Sequence, residues 1–260
     1  MEYLTYDGSF EGFLTVVFEC YAKKILPVDI GRENAFQQKI FAQKEFICTC
    51  PEKAERVWRG LQNKLHRRNK ELPLFAFLSE APCIEIMLYR FIRRIFDTSF
   101  SIETDFGDPD VLELKKLGKK VVSETTHVLQ FLRFQKTRDD IFFAAIEPHY
   151  DVLPFTIEHF TNRFADQQWL IYDIKRDYGV YYDLKSTHEV VLSEKSFRST
   201  DGKVSDNVLH EGEKTYQTLW KDYFDSINIE GRKNLKLQRQ YMPQRYWKFM
   251  PEKTQPGISD

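Results

Sequence analysis

The sequence predicts an α+β protein with a mainly antiparallel sheet of about five strands covered by helices. Apolar residues recur at helical spacing through most of the first 120 residues, and from about residue 126 the apolar runs become short and extended. Helices followed by the order ββαβββα are typical of this class. The chain is expected to form one domain, 1–260. A boundary near 120–126, between a mainly helical part (1–122) and a sheet-containing part (123–260), is equally compatible with the pattern.

The first part is predicted to be largely helical after one short strand at residues 3–6. Apolar periodicity and turn residues place helices at about 9–25, 51–70, 73–79 and 82–97, with a second strand at 44–49. Pro51 suits the first turn of a helix, and Asp108 followed by Pro109 predicts that another helix begins there. Val111, Leu114, Leu117 and Val121 form the inner face of that last helix.

The second part is predicted to hold the sheet. Strands are expected at 128–134, 141–147, 169–173, 180–183 and 188–192. A helix at about 150–165 separates the second strand from the third, and a final helix is expected at about 204–230. The final helix should turn one apolar stripe inward, formed by Leu209, Tyr216, Leu219, Trp220 and Tyr223.

Composition limits the classes of protein to be considered. No apolar run approaches the roughly 20 residues of a membrane-spanning helix, and the first residues lack an export signal, so we expect a cytoplasmic protein without a membrane partner. Four cysteines predict no disulfide framework. Net charge is −1, yet residues 232–253 hold seven Lys and Arg against one acid, Glu252. This basic segment favours an anionic partner.

Common catalytic motifs are missing from the sequence. It contains no G-x-x-x-x-G-K-[ST], G-x-G-x-x-G, G-x-S-x-G or H-E-x-x-H pattern, and its cysteines lack iron–sulfur spacing. Glu147, His149 and Asp151 alternate and would point the same way in an extended segment, with His159 eight residues further on. These side chains suit acid–base chemistry, but Pro148 interrupts the strand, and such histidines also cap helices. No metal site is predicted.

Cations and aromatic residues alternate near the end of the chain. Arg245, Tyr246, Trp247 and Lys248 combine phosphate-neutralising charges with rings that stack on bases, as single-stranded nucleic acid binding requires. The alternative is that the rings dock this segment onto the body of the protein. Arg163, one turn after His159, and Arg176, in a polar loop, are further candidates for phosphate contact.

Three separated blocks resemble one bacterial family, the "probable DNA metabolism protein" family. The first block is residues 6–14, from Tyr6 to Leu14. The middle block consists of residues 148–151, 159–160 and 163–173, and the last block is residues 242–248, from Met242 to Lys248. The resemblance implies a role in DNA modification or repair beside a radical S-adenosylmethionine (SAM) protein. The iron–sulfur cluster and SAM would then belong to that partner, with no cofactor in this chain. The resemblance carries no assigned catalytic residue.

These observations support three hypotheses. The first is a DNA-binding accessory protein that presents DNA to an iron–sulfur partner, with Arg163, Arg176, Arg245, Tyr246, Trp247 and Lys248 in contact with DNA. The second is a glycosylase- or hydrolase-like repair enzyme in which His149, Asp151 and His159 converge, with Asp7 a further candidate for cleft chemistry. The third is a protein–protein scaffold whose basic patches meet an acidic partner.

Overall fold

A computed structural model describes residues 2–33, 43–192, 205, 208–227, 229, 231 and 234–253. The chain divides into two compact units, a first unit, Met1–Val122, and a second unit, Ser123–Asp260. The division falls inside one long helix. Helices and two sheets occupy the described residues, so the predicted α+β class is confirmed.

The first unit combines a small sheet with helices, one of which lies between the first two strands in sequence. Its strands are β1 (Glu2–Tyr6), β2 (Asp29–Arg32) and β3 (Gln43–Phe46), and β1 lies between the other two and is parallel to both. The helices that begin in this unit are α1 (Phe10–Ala22), α2 (Pro51–Lys64), α3 (Leu72–Phe77), α4 (Ile84–Asp97) and α5 (Pro109–Phe131). A 3₁₀ helix, Arg67–Asn69, lies between α2 and α3.

The helix starts follow the local sequence signals. Ser9 caps α1, because its hydroxyl accepts a hydrogen bond from the Gly12 N–H at 2.9 Å. Asp108 caps α5 by accepting from the N–H groups of Asp110 and Val111, with Pro109 at the first helical position. The predicted helix starts at these two positions are therefore correct to within one residue.

The parallel sheet of the first unit was not predicted. Strand β2 is only four residues long, contains Gly31 and buries one side chain, that of Ile30, so it carries no alternating pattern to recognise. Strand β2 forms because its backbone groups are hydrogen-bonded to β1, and its own sequence does not indicate this pairing. The first unit therefore contains a parallel sheet whose strands β1 and β3 correspond to the two predicted strands, whereas β2 was not predicted.

The second unit contains a five-stranded mixed sheet in chain order. The strands are β4 (Gln135–Lys136), β5 (Phe142–Ile146), β6 (Trp169–Asp173), β7 (Tyr178–Tyr182) and β8 (Thr187–Val190). Neighbours are antiparallel except β5 and β6, which are parallel and joined through α6 (Leu153–Arg163). The predicted hairpin of β6 and β7 is confirmed. The sheet is mixed because a helix between two adjacent strands returns the chain to the same end.

The predicted strand at residues 128–134 is wrong. Helix α5 continues to Phe131, and only Gln135 and Lys136 pair with β5 as an edge strand. Val128 is buried four residues after the buried Glu124, which is helical spacing. A short apolar run fits both periods, so the helix that precedes it decided the outcome.

The last helices are also placed differently from the prediction. Helix α7 (Glu213–Ser226) lies within the predicted helix at 204–230 but is shorter, and helix α8 (Leu235–Tyr241) follows it. Residues 204, 206, 207, 228 and 230 of the predicted helix lie outside the described residues, as do Arg232 and Lys233 of the basic segment. Leu209 is buried as expected, but Tyr216, Leu219, Trp220 and Tyr223 are 40–69% exposed. Periodicity predicts that a helix has an apolar face, and only packing decides whether that face is covered.

Across the described part of the chain, the helices are too short or too polar to span a lipid bilayer.

Candidate functional site

A cluster of polar side chains lies where β5 and β6 end. These strands are parallel, with Ile146 opposite Asp173 in the register, so their carboxyl ends share one edge of the sheet. Ligands of α/β folds bind in the loops that follow such strand ends. Here the loops are residues 147–151 and 174–177. Two motifs separated in sequence, Glu147 to Asp151 and Asp173 to Gly179, are therefore brought together.

A buried ion pair joins these loops. The carboxylate of Asp173 is fully buried, and it accepts hydrogen bonds from the backbone N–H of Lys175 at 2.9 Å and from Nη1 of Arg176 at 2.7 Å. The guanidinium of Arg176 also donates to the carbonyls of Pro148 and His149, at 3.4 and 3.1 Å. Burial raises the pKa of Asp173, and Arg176 opposes that shift. Arg176 thus fixes the 147–151 loop against the end of β6.

A phenol holds Asp151 in place. The hydroxyl of Tyr178, at the start of β7, donates to Oδ1 of Asp151 at 2.6 Å. Burial raises the pKa of Tyr178, and the negative charge of Asp151 raises it further. The phenol therefore remains a hydrogen-bond donor at neutral pH and holds the last residue of the loop.

Glu124 on α5 supports the same loop from another side. Its buried carboxylate accepts the backbone N–H of His149 at 2.9 Å and is ion-paired with Arg245, whose Nε lies 3.3 Å from Oε1. Burial raises the pKa of Glu124, but the hydrogen bonds from His149 and Arg245 outweigh burial and lower it. Glu124 is therefore an anion that joins α5, the loop and the C-terminal segment.

The residues predicted to bind nucleic acid near the chain end lie on the 3₁₀ helix Gln244–Phe249. Tyr246 is only 3% exposed, because its ring packs against His127 and Phe131. Trp247 is half-buried and its indole N–H donates to the Met242 carbonyl at 3.1 Å. Lys248 forms an ion pair with Glu147. The rings thus dock this segment, and Trp247 keeps the greater access to solvent.

His159 and Arg163 do not join this cluster. Both are exposed on α6, which leaves the loop at Leu153 and runs to the opposite end of β6. At a rise of about 1.5 Å per residue, His159 lies about 9 Å further along the axis than Leu153. The arrangement therefore places His149 and Asp151 in one loop and His159 nearly two turns away. Within the described ranges, no three His, Cys, Asp or Glu side chains are grouped as metal ligands.

Asp7 lies in the first unit, where it closes a turn. Its Oδ1 accepts from the backbone N–H of Ser9 at 2.9 Å, and its Oδ2 accepts from the Thr49 hydroxyl at 2.7 Å. Partial burial raises the pKa of Asp7, but the hydrogen bonds from Thr49 and Ser9 are together stronger and lower it. This carboxylate links the loop after β1 to the loop after β3.

The sequence reasoning did not identify Glu124 or Tyr178. A signal for Glu124 was present, because an acid stands at helical spacing between Val121 and Val128 on the inner face of α5. Tyr178 carried no such signal, since its partner Asp151 is 27 residues away in sequence. Chemically, the cluster is a set of ion pairs that fixes one loop and presents the exposed side chains of His149 and Lys175.

Comparison with known proteins gives one family. The model of a domain of unknown function, DUF4130, matches residues 82–252. No curated protein and no solved structure matches the chain. The matched region covers more than half of the sequence and includes the whole polar cluster at the ends of β5 and β6. The chain therefore belongs to the DUF4130 family.

Proposed function

We propose that this protein is a DNA-binding accessory protein in DNA modification or repair, and that the 147–151 loop is part of its DNA contact. One observation carries the proposal. Arg176 is far in sequence from Arg245 and Lys248, yet all three are bonded to this loop or to a carboxylate that holds it. The resemblance of three sequence blocks to the DNA metabolism family supports the same assignment.

The cations divide into two groups by the strength of their existing pairs. Arg176 and Arg245 pair with the buried carboxylates of Asp173 and Glu124, and separating a buried pair costs several kcal/mol. These two arginines therefore shape the loop. The pair between Lys248 and Glu147 is 38% and 41% exposed, and such pairs contribute about 1 kcal/mol or less. A phosphate group can replace the Glu147 carboxylate at Lys248.

The exposed groups beside Lys248 complete the proposed contact. Lys175 is exposed, with its ammonium group 2.7 Å from the His149 carbonyl oxygen. We assign phosphate contact to Lys175 and Lys248, and base contact to the rings of His149 and Trp247. Arg163 lies at the far end of α6, so it would contact DNA only if the bound DNA strand extends beyond the 147–151 loop.

Equilibrium binding to labelled DNA tests the proposal. Single-stranded and duplex oligonucleotides of equal length are titrated with the full chain at 50 and 200 mM salt, with fluorescence anisotropy as the readout. Because binding releases counterions from the DNA, the affinity should fall steeply as the salt concentration rises, and the slope should grow with the number of phosphates neutralised. Salt-independent binding, or no binding to either DNA at 50 mM salt, contradicts the proposal.

The resemblance extends the proposal to a partner. In this extension the protein presents DNA to a radical SAM enzyme, which supplies the iron–sulfur cluster and SAM. Co-purification of the two proteins, repeated after nuclease treatment, tests it. A complex that requires DNA supports presentation of DNA by this chain. A complex that is unaffected by nuclease, formed by a chain that binds no DNA, favours the scaffold hypothesis instead.

A further inference from the structure

The first unit contains a basic cleft with aromatic walls, outside the residues matched by the family model. It lies beside the end of α2 and the start of α3 and has a volume of about 480 Å³. Three cations, Arg67, Arg68 and Lys70, and two rings, Trp58 and Phe75, line it. Small-ligand sites typically enclose roughly 300–1,000 Å³. The cleft is therefore large enough to hold part of an organic ligand.

Its cations differ from the other arginine cluster of the first unit. Arg90, Arg93 and Arg94 on α4 pair with Asp110, Asp97 and Asp108. By contrast, the side chains of Arg67, Arg68 and Lys70 form no ion pair or hydrogen bond with any part of the chain that the structure describes. Among the described residues that line the cleft, Glu71 is the one acid. An anion can therefore bind these three cations without displacing a carboxylate.

Hydrogen bonds to neighbouring residues hold the turn that carries the cations. The buried carboxylate of Glu103 accepts the backbone N–H of His66 at 3.1 Å and the side-chain amide of Asn69 at 2.6 Å. On the other side, Gln62 donates to the carbonyl of Lys70 at 3.0 Å. A turn anchored at both ends loses little conformational entropy on binding. This is the preorganisation expected of a binding surface.

The aromatic wall is suited to a flat, unpaired base. Trp58 is half-buried, with its ring packed edge-on against Phe10 at a centroid distance of 5.4 Å, and the rest of the side chain lines the cleft. A ring held in this way keeps its geometry when the cleft is empty. Combining stacking rings with phosphate-binding cations is how proteins bind single-stranded nucleic acid. In a duplex the base faces are stacked on neighbouring bases, so a duplex cannot make this contact.

We propose that the Arg67/Arg68/Lys70 cleft binds a segment of single-stranded nucleic acid, with a base against Trp58 and phosphates against the three cations. The inference rests on the proposed DNA-binding function and deepens it, because it names a strandedness and a second site.

The test compares two double variants of the full chain with the same charge change. Arg67→Gln/Arg68→Gln removes two cleft cations, and Arg56→Gln/Arg59→Gln removes two exposed arginines of α2 that do not line the cleft. Binding of a labelled oligo-dT and of a duplex of equal length is measured at 50 and 200 mM salt. For the cleft variant we expect roughly tenfold weaker oligo-dT binding, and a log–log salt slope reduced by about 1.4. The matched variant should bind oligo-dT within about twofold of the wild-type protein.

Trp58 is tested separately, with folding verified by circular dichroism. Trp58→Leu should weaken oligo-dT binding by about tenfold, while Trp58→Phe, which retains a ring, should stay near the wild-type value. The cleft site is overturned, even when the wild-type protein binds DNA, if the Arg67/Arg68 and Arg56/Arg59 variants lose equal oligo-dT affinity. It is also overturned if the Arg67/Arg68 variant loses none. A wild-type protein that binds no DNA overturns both proposals. Thymidine monophosphate that competes as strongly as the oligonucleotide overturns strand binding.

Discussion

Asp173 and Arg176 form a buried ion pair at the end of β6, with Oδ2 of the aspartate 2.7 Å from Nη1 of the arginine. Asp173 is fully buried, and the same guanidinium donates to two carbonyls of the 147–151 loop. The pair therefore connects the sheet to the loop that carries the proposed DNA contact. Removing one partner leaves a charge in a place that water does not reach.

Arg176→Met should destabilise the protein by about 3–5 kcal/mol at pH 7, because it leaves Asp173 buried and unpaired. Urea unfolding followed by circular dichroism measures the loss. Asp173→Asn/Arg176→Met is the control, since it removes the charge as well, and it should be more stable than the single variant. A single variant within 1 kcal/mol of the wild-type protein would show that the pair is not buried in solution.

The stability of the Arg176→Met variant should depend on pH in a defined direction. Burial already raises the pKa of Asp173, and the loss of Arg176 raises it further. Between the ordinary aspartate pKa, about 3.9, and the raised value, the folded state binds more protons than the unfolded state. Stability therefore falls as pH rises through that interval, and the deficit of the variant should shrink on acidification. A deficit that grows as pH falls contradicts this assignment.

Glu124→Gln should remove a contribution to stability whose pH dependence is opposite to that of Asp173. The pKa of Glu124 is lowered on balance, so its contribution is present above the ordinary glutamate pKa of about 4.3 and is lost as pH falls through the folded value. We expect the variant to lose stability at pH 7 and to converge with the wild-type protein in acid. Glu55→Gln, in an exposed pair with Arg59, is the control and should cost under about 1 kcal/mol.

Gly12→Ala should destabilise the first unit by about 1–3 kcal/mol through overpacking. A Cβ at this position would collide with Oδ1 of Asp7 and lie 2.8 Å from the Thr49 hydroxyl oxygen. If Asp7 is the obstacle, the double variant Asp7→Ala/Gly12→Ala should lose less than the sum of the single losses. Thermal unfolding of all three variants measures the coupling, and strict additivity would show that the collision is relieved elsewhere.

Lys175→Gln/Lys248→Gln should weaken DNA binding with little change in stability. Each lysine is proposed to contact one phosphate, so the log–log salt slope for single-stranded DNA should fall by about 1.4. Lys116→Gln/Lys120→Gln, on the exposed face of α5, is the control of equal charge. Unchanged slopes in the first variant, or equal reductions in both, would remove the phosphate assignment at the 147–151 loop.

The candidate site shows how far residue patterns reach. The Glu147 to Asp151 segment was singled out from the sequence because its acids and histidine alternate, and Arg176 because it lies in a polar loop between two predicted strands. The pair that supports this loop from α5 was harder to find, because Glu124 and Arg245 are separated by 121 residues. Whether Arg245 meets a phosphate or a carboxylate depends on which side chain folding places opposite it, and pattern alone left both alternatives open.

By itself the sequence determined the α+β class, most helix positions and the hairpin of β6 and β7, because capping residues, prolines and apolar periodicity act over a few residues. Tertiary structure alone decided that β1, β2 and β3 form a parallel sheet, that α5 extends through the predicted strand, and that Tyr246 is buried while Tyr216 is exposed. These outcomes depend on contacts between residues far apart in the chain, since both the burial of a ring and the partner of a strand are properties of neighbours in space.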